Sequence, residues 1–164
     1  MLRLFLILSV VLLLNVSAQA VQPPPTSINH TPQGSVLKVL PQFLDQKGQS
    51  ALTASLYDRD AYQAFLRKNP RKRSTLRFAV QWKAKVPESD PLSLRVEIIG
   101  AAKTDMPRQT SIETAVRQHH WFSHWTYLTM PKEQYKDVGD VTAWRVTLWD
   151  GDKMLSEQKS FLWQ

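Results

Sequence analysis

Leu76, Phe78, Val80 and Trp82 alternate with Arg77, Ala79, Gln81 and Lys83, and the pattern returns with Leu92, Leu94, Val96 and Ile98 set against Ser93, Arg95 and Glu97. Successive side chains of a strand point to opposite faces, so each run requires a strand with one face in a core and the other in water. Such half-exposed strands belong to antiparallel sheets, because parallel sheets are covered on both faces and read as continuous apolar runs. The link VPESDP between the runs carries two prolines and makes a turn.

The rest of the chain extends this β reading. SVLKVLPQFLD, Ser35 to Asp45, is an apolar-rich strand candidate whose Pro41 predicts an edge position or a bulge. Trp121 to Met130, Val141 to Trp149 and Lys153 to Trp163 are further strands, and Asp150-Gly151-Asp152 supplies the positive φ of a tight hairpin turn. One helix interrupts them. Ser55-Leu56-Tyr57-Asp58 resembles a capping box, Ala61, Tyr62, Phe65 and Leu66 share a face, and Asn69-Pro70 ends the run. AAKTDMPRQTSIETAVRQ, residues 101–118, reads as a loop with at most one helical turn at Thr110 to Glu113. Six or seven strands with one helical insertion and no strand-helix alternation predict an all-β antiparallel sandwich.

The ends bound the compartment. MLRLFLILSVVLLLNVSAQA has one basic residue, an apolar run and Ala18-Gln19-Ala20, the layout of a cleaved secretory signal over residues 1–20. The apolar run is shorter than the ~20 residues that cross a bilayer, so no stable membrane insertion is expected after cleavage. Residues 21–34, VQPPPTSINHTPQG, read as a Pro-rich disordered tether, which leaves 35–164 as the domain. The chain has no cysteine, which excludes disulfides, thiolate metal sites and cysteine nucleophiles. Its net charge is +7, and an exported basic protein meets anionic polysaccharides and envelope or extracellular proteins before nucleic acid.

The ending TAWRVTLWDGDKMLSEQKSFLW resembles the last hairpin of an immunoglobulin-like or fibronectin-type β-sandwich. With SLYDRDAYQAFLR and WFSHWTYLTM, the chain is similar to small secreted bacterial proteins of no assigned activity. The resemblance implies the sandwich fold and carries no catalytic residues.

Candidate sites rest on the residues themselves. HHWFSHWTYL, His119 to Leu128, suggests metal or acid-base chemistry, but strand spacing puts His120 and His124 about 13 Å apart, too far to share an ion. A hydrolase using the His120/His124 region would need an acid from elsewhere; neither a metal nor another cofactor is expected. Asp58-Arg59-Asp60 fits a helix start and Asp150-Gly151-Asp152 a turn. Arg67, Lys68, Arg71, Lys72 and Arg73 form a basic run at the helix end. It reads either as a solvated loop guarding the strand behind it or as a docking point for phosphate or carboxylate groups. Trp121, Trp125 and Tyr127 share one strand face, and Trp149 is out of phase with Trp144, Val146 and Leu148. These four aromatics either form an exposed platform for a sugar ring or a partner, or lie under the helix, whose apolar face must be buried somewhere; the second reading is the expectation. The function expected is non-catalytic binding through exposed aromatics and the basic run.

Overall fold

The computed structural model describes residues 33–86, 91–101, 106–117 and 122–164. Residues 1–32, which hold the expected signal segment and most of the expected tether, and His119, His120 and Trp121 lie outside the described residues. Among the described residues, seven strands form two antiparallel sheets. One holds β1 (Gln33–Asp45), β2 (Arg73–Lys85) and β5 (His124–Thr129) in the order β1-β2-β5. The other holds β3 (Leu92–Ala101), β4 (Pro107–Val116), β6 (Asp140–Asp150) and β7 (Lys153–Lys159) in the order β4-β3-β6-β7. Helix α1 (Leu56–Lys68) joins β1 to β2, and a short helix α2 (Lys132–Val138) joins β5 to β6.

The alternating runs bury one face each. Phe78, Val80 and Trp82 of β2 meet Val96 of β3 and Val146 and Leu148 of β6 in a single cluster, so the two sheets share one core. Trp82 is its largest side chain; it donates its indole N–H to Thr126 Oγ1 at 2.8 Å and lies against the His124 ring. Trp144 closes an edge of the cluster, its ring edge-on to Phe78 with centroids 6.2 Å apart. The β6–β7 turn runs from Asp150 to Lys153, with Gly151 at φ 54°, as the Asp-Gly signal requires.

Three sequence readings need correction. The stretch 101–118 is not one loop: β4 occupies Pro107–Val116 and pairs with β3 along its length. Of its inward positions Thr110, Ile112, Thr114 and Val116, only two are apolar, and an edge strand tolerates that weak alternation. The chain has a second helix, α2, whose Val138 is buried and whose Tyr135 packs on the core. β1 begins at Gln33, two residues inside the stretch expected as a tether. Gly34 lies so close to Leu148 and Leu155 that a Cβ there would sit 2.8 Å from each, and the Val36 amide donates to Ser156 Oγ at 3.0 Å. Glycine marks that close approach of β1 to the second sheet. As expected of a strand containing Pro41, β1 is at a sheet edge, but its first irregularity falls between Val36 and Lys38.

Asp45 locks the exit from β1. Its Oδ1 accepts the amides of Lys47 (2.8 Å) and Gln49 (2.9 Å), and its Oδ2 accepts the Tyr62 hydroxyl (2.7 Å). Burial pushes the carboxyl upward, but the Gln49 amide, the Tyr62 hydroxyl and the Lys47 amide and charge together hold it below its ordinary value of 3.8. A carboxyl depressed on folding stabilises the fold at pH above its unfolded value and loses that contribution as pH falls through the folded value. Carboxyl NMR titration is expected to give Asp45 a midpoint below 3.8, shifting upward in Tyr62→Phe. The gap in urea stability between the wild type and Asp45→Asn is expected to close on acidification through that midpoint.

Candidate functional site

The position of α1 decides which aromatics are open. Ser55 caps the helix, its Oγ accepting the Asp58 amide at 3.4 Å, and Asn69 ends it. The buried stripe is not the apolar face expected from the sequence, since Ala61 is exposed and Phe65 largely so. Of that face only Leu66 is fully buried, and Gln63, which lies outside it, is buried with it. The Gln63 amide clamps β1: its Oε1 accepts the Phe43 amide (2.8 Å), and its Nε2 donates to the carbonyls of Phe43 (2.9 Å) and Ser50 (2.7 Å). An edge strand presents unpaired backbone groups, and a helix carrying a buried amide satisfies them. The helix thus sits at the β1 edge, while β5 forms the opposite edge of the three-stranded sheet.

Trp125 and Tyr127 are therefore not covered by the helix; they are 43% and 57% exposed. Tyr127 stands opposite Ala79 and Trp125 opposite Gln81, on the outward face of the sheet. Gln81 Nε2 donates to Ser123 Oγ at 3.1 Å beside them. Arg77 belongs to the same face. Its guanidinium lies 4.8 Å from the Tyr127 ring centroid, and Nη2 donates to Gln42 Oε1 and Ser50 Oγ, both at 2.8 Å. From Ser35 to Leu44 of β1, with the β2 partners and along β5, the paired outward positions bear Lys38, Arg77 and Lys83 and no carboxylate, while the last β1–β2 pair sets Asp45 opposite Arg73. Sequence reasoning passed over Arg77 as one polar member of an alternating strand. Its position two residues from Ala79, the residue facing Tyr127, becomes a signal only once the β2–β5 register is known.

The other candidates do not join this face. Trp149 belongs to β6 in the second sheet, where it stands opposite Ser93. Its indole N–H donates to Thr147 Oγ1 (2.7 Å), and Arg95 covers its ring at 5.4 Å. Arg67, Lys68, Arg71 and Lys72 are exposed at the end of α1 and in the turn Pro70–Lys72. From Arg73 to Gln81, the partner of Trp125, β2 runs about 26 Å at ~3.3 Å per residue, which sets the Pro70–Lys72 turn far from Trp125, whereas Arg67 lines a cavity with Asp60 and the β1 residues Leu40 and Gln42. Arg73 is withdrawn from that run altogether. Its side chain is 6% exposed; Nε donates to the Leu66 carbonyl (2.6 Å), Nη2 to the Arg67 carbonyl and Nη1 to Asp140 Oδ1 (2.8 Å), and the guanidinium lies 4.1 Å over the Phe43 ring. It caps the C-terminus of α1.

His124 is half-buried on the inward side of β5, its ring centroid 5.5 Å from that of Trp82. Among the described residues no three metal-binding side chains cluster, and no helix is long and apolar enough to cross a membrane. Comparison with protein-family models, curated proteins and solved structures gives no match.

Proposed function

We propose that the chain is an exported, non-catalytic binding module with an immunoglobulin-like sandwich fold, and that it engages an anionic glycan or protein of the envelope or extracellular space. The strand orders β1-β2-β5 and β4-β3-β6-β7 support the fold reading, since the hairpin β6–β7 extends the β3 sheet as the last strands of such sandwiches do. The observation that carries the functional reading is the pair of exposed aromatics, Trp125 and Tyr127, with Lys38, Arg77 and Lys83 at the neighbouring outward positions. Large exposed aromatics on a well-packed strand offer area for a ring or an apolar side chain with little loss of conformational freedom. Positive charge around them attracts anionic partners and makes the attraction salt-dependent.

Retention on insoluble polysaccharides and on envelope extract tests this. The wild type is expected to be retained at low salt and released at high salt, and Trp125→Ala or Tyr127→Ala is expected to weaken retention about tenfold with the unfolding midpoint nearly unchanged. Retention that is indifferent to both substitutions contradicts the assignment.

A further inference from the structure

Arg77 is a cation without a counter-ion. The ion pairs among the described residues join Arg59 to Asp60, Arg73 to Asp140, Arg95 to Glu113 and Arg145 to Glu97. Arg77 instead has two neutral acceptors, Gln42 and Ser50, both on Nη2. Its Nε is buried with no hydrogen-bond partner among the described residues, and both side-chain hydrogen bonds leave from Nη2. Arginine in folded proteins normally meets a carboxylate or phosphate in its planar fork. A guanidinium oriented by an amide and a hydroxyl, 4.8 Å from a tyrosine ring centroid, is pre-organised and leaves its charge available.

The order of groups along the sheet identifies the ligand class. Reading along β2, Arg77 is followed by the position of Tyr127, then that of Trp125, then Lys83, in steps of two residues or about 7 Å. Cation, ring, ring, cation suits a chain that alternates flat rings with sparse negative charges. Inorganic polyphosphate has dense charge and no ring face to lay on the aromatics. We infer that the outer face of the β1-β2-β5 sheet binds an acidic oligosaccharide, with sugar rings on Tyr127 and Trp125 and a uronate carboxylate on Arg77. The inference rests on the reading of this face as the binding surface and adds the carboxylate and its receptor.

Calorimetric titration of the purified chain with oligogalacturonate, alginate and hyaluronan oligomers, each beside its carboxyl-reduced form, tests it. At least one uronate is expected to bind, and carboxyl reduction is expected to weaken it about ten- to hundredfold, the range of a charge-assisted pair. Arg77→Gln is expected to lower uronate affinity to that of the reduced glycan and to leave the reduced glycan's affinity unchanged. The reduced-glycan comparison uses the wild type alone and so does not depend on the variant folding. Equal binding of a uronate and its reduced form overturns the role of Arg77 while leaving the aromatic face as a binding surface. Binding of none of these glycans overturns the acidic-sugar assignment; if retention in the earlier experiment also ignores Trp125 and Tyr127, the surface falls with it. Inorganic polyphosphate bound more tightly than every uronate, in an Arg77-dependent way, overturns the carboxylate in favour of phosphate.

Discussion

Trp82→Ala is expected to destabilise the fold by about 3–5 kcal/mol, the usual cost of deleting a large buried aromatic. Trp82 is 1% exposed, and its ring spans the inner face of the three-stranded sheet, opposite Val36 on one side and His124 on the other. No neighbour can fill so large a void, because β2 is central in its sheet and held by register on both edges. The substitution also strips Thr126 Oγ1 of the indole donor at 2.8 Å. Trp82→Phe keeps most of the packing and is expected to cost about 1–2 kcal/mol, the hydrogen bond and the lost volume together. Urea unfolding at constant m-value measures both. A Trp82→Ala protein with an unchanged midpoint would mean that the shared core does not depend on this ring.

Arg73→Ala is expected to cost about 2–4 kcal/mol, for reasons that differ in kind. Asp140 is 72% exposed and recovers water when its partner leaves, so the ion pair itself contributes little. The larger losses are the donors to the last carbonyls of α1, at Leu66 and Arg67, and the guanidinium packed on Phe43. Those contacts tie α1, β1 and the start of β2 together at one point. Asp140→Asn is therefore expected to cost less than about 1 kcal/mol. Arg73→Lys is expected to recover only part of the loss, since one ammonium cannot reproduce a planar fork meeting acceptors on the helix and on β6 at once. Equal unfolding midpoints for Arg73→Ala and the wild type would return Arg73 to the surface run from which its hydrogen bonds remove it.

How much of this was legible depended on whether a residue's role was local. The alternation in β2 and β3, the Asp-Gly hairpin turn and the Ser55 cap are consequences of backbone geometry within a few residues, and each stands as read. β4 was hidden because threonines fill half of its inward positions, and α2 because a seven-residue helix needs only Tyr135 and Val138 to anchor it. The seat of α1 was misjudged because its deepest polar contact is Gln63, which a hydrophobic pattern assigns to solvent. Arg73 looked like its basic neighbours until its long-range acceptors were in place. At the candidate site, the shared face of Trp125 and Tyr127 followed from strand period alone, but their separation from Trp149 required the sheet order. Arg77 required the register between β2 and β5.

On the proposed function, the open face of the β1-β2-β5 sheet is the working surface of this protein. Amide and side-chain NMR shifts followed during titration with a bound uronate oligosaccharide test it most directly. The account predicts shifts concentrated on Arg77, Gln81, Trp125 and Tyr127, with Trp149 and the Arg71–Lys72 turn unmoved. Shifts centred on Trp149, or on the basic turn at the end of α1, would contradict it.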